Sequence, residues 1–127
     1  MSSRPPLTGL KLLVVEDVVD NQDLFRIFLE SAGATVDIAV NGAEAVKNAS
    51  SDYSVILMDV QMPVLDGLSA TRQLRARGLT MPIIALTAHA MPEEVLKSKN
   101  AGCTDHIAKP VSSKILISSI LRALHLD

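Results

Sequence analysis

The chain has 127 residues, a net charge of −2, 48% hydrophobic side chains, one cysteine and no tryptophan. That length suits one domain with a substantial core, and balanced charge with high apolar content argues against disorder. Twelve basic against fourteen acidic residues argue against a direct grip on nucleic acid or a basic membrane-surface patch.

Residues 1–9, MSSRPPLTG, contain no apolar stretch of signal-peptide length. They read as a flexible N-terminal tail or linker remnant, with the domain expected over 10–127. A first apolar run covers 10–15. A helical pattern follows, with Leu24, Ile27, Phe28 and Ser31 on one face and Asp20 and Asp23 near its start. The second run covers 35–40, and Asn41 to Glu44 then has capping-box spacing. The third run, 55–58, is unbroken Val-Ile-Leu-Met, and a helix with Leu68, Thr71, Leu74 and Arg75 follows Gly67. The fourth run is Ile-Ile-Ala-Leu at 83–86. Pro92, Glu93 and Glu94 next place a proline and two acids in a first helical turn. A short fifth run at 106–108 precedes a last helix, capped by Ser112 or Ser113, with a stripe of Ile117, Ile120, Leu121 and Leu124. Gly33, Gly78 and Gly102 fall just past three of these helices.

Unbroken apolar runs suit strands covered on both faces. Five strand-then-helix alternations mean a parallel sheet with helices on either side. The longest uncharged stretch, 78–92, spans 15 residues, short of the ~20 a membrane helix needs. A lone Cys103 forms no internal disulfide; it suits a small buried side chain in a reducing, cytoplasmic setting, although a parent chain could carry a membrane anchor.

In open α/β sheets, ligands bind beyond the carboxyl ends of the strands. Glu16 and Asp17 follow the first run, Asp59 the third, Thr87 the fourth, and Lys109 and Pro110 the fifth. Each acid alone is an ordinary loop charge, and Thr87 and Lys109 alone are ordinary loop residues. Together they make a site. Three carboxylates in one crevice repel one another, and a hard cation such as Mg²⁺ relieves that while sharing its oxygen shell with a phosphate. A carboxylate can accept a phosphoryl group as nucleophile. A lysine can neutralise the phosphoryl oxygens and a threonine hydroxyl can donate to one.

LLVVEDVVDNQ at 12–22, VILMDVQMPVLDG at 55–67, PIIALTAHAM at 82–91 and GCTDHIAKP at 102–110 resemble the receiver domain of two-component response regulators. The resemblance covers nearly the whole chain. It implies a flavodoxin-like, doubly wound five-stranded parallel sheet of order 2-1-3-4-5 with five helices. It implies Asp59 as phospho-acceptor. Mg²⁺ would be held by Asp17, by Glu16 through water, by Asp59 and by the Gln61 backbone carbonyl. Lys109 would pair with the phosphoryl oxygens, Thr87 would close on them, and Pro110 would follow a cis peptide bond. Pro63 and Gly67 would shape the loop after the acceptor. Gln61 and His89 stand where the family tunes loss of the phosphate. The family usually has Tyr or Phe three residues before the lysine. His106 stands there, an imidazole in place of the usual ring, which puts the usual threonine–aromatic switch in doubt.

The implied partner is a histidine kinase or a histidine phosphotransfer domain, with signalling through an α4–β5–α5 surface and a weak homodimer as a further option. The motifs are most similar to receivers of hybrid histidine kinases, and a stand-alone regulator is the alternative. Such a domain catalyses its own phosphorylation and dephosphorylation without being a turnover enzyme by itself. A haloacid-dehalogenase-type phosphatase also uses a strand-end aspartate with Mg²⁺, but it wants a second Asp where this chain has Gln61. A flavin-binding module wants a phosphate loop after strand one, where this chain is acidic. A degenerate receiver that only binds partners is disfavoured by the intact Glu16, Asp17, Asp59, Thr87 and Lys109.

Overall fold

Five strands rich in β-branched and aliphatic side chains alternate with five helices in a computed structural model that describes residues 4–62, 64–89 and 91–126. In chain order these are β1 (Lys11–Val15), α1 (Val19–Ser31), β2 (Thr35–Ala39), α2 (Gly42–Asn48), β3 (Val55–Asp59), α3 (Gly67–Ala76), β4 (Ile83–Thr87), α4 (Pro92–Ala101), β5 (Asp105–Ala108) and α5 (Ser113–Ala123). The strands form one sheet of order β2-β1-β3-β4-β5, and every pairing is parallel. This is the flavodoxin-like architecture expected from the sequence. The expected shaping role of Pro63 lies outside the described residues.

Strand pleating splits the apolar residues between two cores. Leu12, Val14, Leu57, Ile84 and Leu86 face one side with Phe25 and Leu29 of α1 and Leu116 and Ile120 of α5. Leu13, Val15, Ile56, Met58, Ile83 and Ala85 face the other, with Ala45, Ala70, Leu74 and Cys103. β3 and β4 are buried at every position, so no alternation is left for them to show.

Local chemistry sets the helix ends. Asn41 accepts from the Glu44 amide at 2.8 Å, while Glu44 Oε1 reaches the Val40 amide at 3.4 Å, one residue outside a standard capping box. Asp66 accepts from Ser69 N at 2.9 Å and Ser112 from Ile115 N at 3.2 Å. Pro92 opens α4, and Gly102 closes it at φ +110°, a conformation that costs any other L-residue. At the foot of the sheet, Arg75 donates to the carbonyls of Gly102, Leu79 and Met81 at 2.8–2.9 Å, tying the end of α3 to the end of α4.

Two sequence expectations need correction. The buried face of α1 carries Phe25 and Leu29, with Phe28 partly buried against the same core as expected, whereas Leu24 and Ile27 are 45% and 61% exposed. Both stripes have helical spacing, and the position of the sheet selects between them. Residues 5–9 are not a loose tail. Leu7 is fully buried in the α1–α5 core, and its amide donates to Ala32 O at 2.7 Å. A turn closed by Thr8 N to Pro5 O and Leu10 N to Leu7 O leads from there into β1.

Candidate functional site

β1 lies between β2 and β3, so the chain leaves its carboxyl end in one direction and β3 approaches from the other. A crevice opens at such a reversal. Val15 pairs with Met58 in the register of β1 and β3, which sets Glu16 beside Asp59 at the sheet's upper edge. Ligand oxygens of Glu16, Asp17 and Asp59 all lie within 4.8 Å of one another. Glu16 and Asp59 are buried, and Asp17 is the open member. Lys109, just past β5, reaches over the edge. Its Nζ stands 3.0 Å from Asp59 Oδ2 and 3.5 Å from Glu16 Oε1.

Glu16 carries the clearest sign that the cluster suits a cation. Its Oε2 accepts from Val18 N at 3.1 Å. Its Oε1, although within ion-pair range of Lys109, has no hydrogen-bond donor and is fully buried. Burial pushes the Glu16 carboxyl above its ordinary value, and the neighbouring Asp59 charge pushes the same way; the Val18 amide and Lys109 pull it back. A buried, unpaired oxygen within an all-oxygen donor set fits a hard divalent cation such as Mg²⁺. The acidic cluster can therefore coordinate such a metal.

The remaining expected residues divide into those at the site and those apart from it. Gln61 donates its amide to Asp59 Oδ1 at 3.2 Å, a tight local turn that starts the loop after β3 beside the acceptor. Gly67 packs so closely on β3 that an added Cβ would fall on the Asp59 carbonyl oxygen. The Lys109–Pro110 peptide is cis. Thr87 is buried at the end of β4, but its hydroxyl donates to His89 O at 2.8 Å and accepts from His89 N at 3.2 Å, both within its own loop. His106 is apart from the acids. It lines a groove of about 190 Å³ between α4 and β5 with Val95, Ser98, Lys99 and Cys103, and its Nδ1 is 3.8 Å from Asp105 Oδ1.

Sequence reasoning passed over one residue here. Gln22 Nε2 donates to the Glu16 carbonyl at 2.7 Å. Nothing in residue type marks a helix glutamine for that duty. Its place six residues after Glu16, one turn into the following helix, is the only signal.

No helix among the described residues is long and apolar enough to cross a membrane. The family model for the response regulator receiver domain matches residues 12–121. Probable histidine kinase 2 of Oryza sativa subsp. indica is 37% identical across 91% of this chain, and the chain spans 13% of that relative's length. The two-component response regulator ORR41 of Oryza sativa subsp. japonica is 40% identical across 84% of this chain and 88% of its own. Among solved structures, the receiver domain of sensor histidine kinase PA1611 from Pseudomonas aeruginosa PAO1, with a magnesium ion coordinated in its active-site cleft, superposes with a TM-score of 0.84. It is 38% identical, and the match covers 93% of this chain and 99% of that one. The strand order, the acidic cluster poised for Mg²⁺ and phospho-aspartate chemistry, and the match over most of the sequence lead to one conclusion: this chain belongs to the response regulator receiver family and is a phospho-accepting receiver domain, closely related to those of hybrid sensor histidine kinases.

Proposed function

We propose that Asp59 is the acceptor and takes its phosphoryl group from a phosphohistidine on a histidine kinase or histidine phosphotransfer domain. The observation that carries this reading is the setting of the Asp59 carboxylate. It is almost fully buried, bonded to Lys109 on one side and adjoined by Glu16 and Asp17 on the other.

One Asp59 oxygen attacks phosphorus in line, and the phosphorus–nitrogen bond breaks with its electron pair staying on the imidazole. Lys109 leaves Asp59 Oδ2 for the phosphoryl oxygens and neutralises charge there. Asp17, Glu16, Asp59 and the Gln61 carbonyl would hold Mg²⁺, which supplies charge neutralisation when bound. Thr87 gives up its bonds to His89 and turns its hydroxyl to the phosphate. Water later cleaves the acyl phosphate, with Gln61 and His89 at the mouth of the site setting the rate.

The freed 87–89 loop and His106 then shift the α4–β5–α5 surface between two populations. The groove beside His106 supports this, because it leaves the imidazole room to move. The reading needs no nucleic acid or membrane contact by this domain, and a weak homodimer through the same surface is compatible with it. The parent is a hybrid histidine kinase, as the long kinase relatives suggest. A stand-alone regulator is the second reading, supported by the rice regulator matched over most of its own length.

The test is incubation with phosphoramidate and Mg²⁺, read by intact mass. A base-labile phosphoryl adduct is expected in the wild type and absent in Asp59→Asn or with chelator. No wild-type adduct, or an undiminished one in Asp59→Asn, overturns the assignment.

A further inference from the structure

We propose that Gln22 is a positioning residue that sets the Glu16–Asp17 peptide for cation binding. The proposal rests on the reading of those two acids as cation-holding. Its argument is a closed circuit of three hydrogen bonds at the end of β1. Gln22 Nε2 donates to Glu16 O at 2.7 Å. Gln22 N donates to Val18 O at 3.0 Å. Val18 N donates to Glu16 Oε2 at 3.1 Å.

The circuit fixes both ends of Glu16. Its side chain is turned by the Val18 amide so that Oε1 alone remains unpartnered. Its carbonyl is held by Gln22. That carbonyl shares a peptide plane with the Asp17 amide, so holding it fixes the direction in which Asp17 leaves the strand. Asp17 needs such a hold. It is the open member of three mutually repelling carboxylates. Without Gln22 the peptide plane is free to tilt, and the repulsion would carry Asp17 toward solvent. A polar contact that orients a ligand without touching the metal typically governs affinity by about ten- to a hundredfold.

The experiment titrates Mg²⁺ alone into the full chain by calorimetry, alongside melting in chelator. Gln22→Met keeps length and removes the donor; Gln22→Arg restores a donor. Gln22→Met is expected to bind Mg²⁺ about tenfold more weakly, with Gln22→Arg recovering most of the loss. A melting temperature lowered in chelator with unchanged Mg²⁺ affinity assigns Gln22 a purely structural role and overturns the proposal. So does weakened binding that Gln22→Arg fails to recover. If Gln22→Met does not fold, the neutral Gln22→Leu replaces it, with the same outcomes read. Asp17→Asn separates the two levels. If it binds Mg²⁺ like the wild type, the underlying reading of the acids fails; if it loses binding while Gln22→Met does not, only the Gln22 proposal fails.

Discussion

Lys109 Nζ bonds Asp59 Oδ2 at 3.0 Å across fifty residues of sequence, and the same ammonium is the cation closest to the buried Glu16 carboxylate. One side chain from the far edge of the sheet thus offsets two acids at its centre.

Removing that charge should expose their repulsion. Lys109→Met is expected to lose on the order of 2 kcal/mol in chelator, the scale of a charged hydrogen bond. Saturating Mg²⁺ should close most of the gap. Thermal melting with and without the metal measures both. A variant that melts with the wild type in chelator would contradict the role given to Lys109.

The approach of Gly67 to the Asp59 carbonyl predicts a divergence between two glycines. Gly67→Ala forces backbone apart beneath the acceptor and should cost about 2–3 kcal/mol, with a depressed yield of phosphoryl adduct. Gly78 has φ +88° and open space around it. Gly78→Ala should cost about 1 kcal/mol from backbone conformation alone, with adduct yield unchanged. Urea denaturation and intact mass on both variants check the pair, and equal adduct yields would refute it.

Asp66 gives stability a pH signature. Its bond from the Ser69 amide holds its carboxyl below the ordinary value. The unfolded chain therefore takes up that proton first as pH falls. The benefit of the ionised cap is complete above the unfolded pKa of about 3.9, and it fades as pH drops through the lower folded value. Asp66→Ala should be about 1 kcal/mol less stable at pH 7, with the gap to wild type narrowing below about pH 4. A gap that stays constant to pH 3 is the contrary result.

Cys103 should serve as a built-in probe of opening. It is 7% exposed, burial pushes its thiol up, and Sγ lies 3.9 Å from Thr71 Oγ1. A disulfide reagent at pH 8 should label it slowly in buffer and at once in denaturing urea. Rapid labelling of the folded protein would show that the α3–α4 packing opens freely.

How much of this could be read from the sequence depended on whether one local pattern was sufficient. β3 and β4 were legible because full burial leaves an unbroken apolar run that few other elements produce. The site was legible because each of its charged groups ends a strand, and the sheet order brings those ends together. α1 was misread on its face, since 24-27-28-31 and 25-29-32 are both acceptable helical stripes and only tertiary packing chooses. Leu7 was missed because a single apolar residue among prolines has no period; its burial depends on the end of α1 lying beside it. Gln22 was overlooked because its contribution is one hydrogen bond to a main-chain oxygen, and side-chain identity does not announce main-chain partners.

The anchoring of Leu7 against Ala32 has a practical consequence for spectroscopy. Leu7 precedes β1, whereas Asp59 ends the parallel β3, so the two lie at opposite ends of the sheet. The chain has no tryptophan and one tyrosine, so a bright emission signal must be introduced. A fluorophore attached at the exposed Pro6 would sit on a segment that is released only when the α1–α5 core opens. Its emission should track denaturation faithfully and stay silent through phosphorylation, which makes it a reference channel against which a second dye near Ala88 can be read.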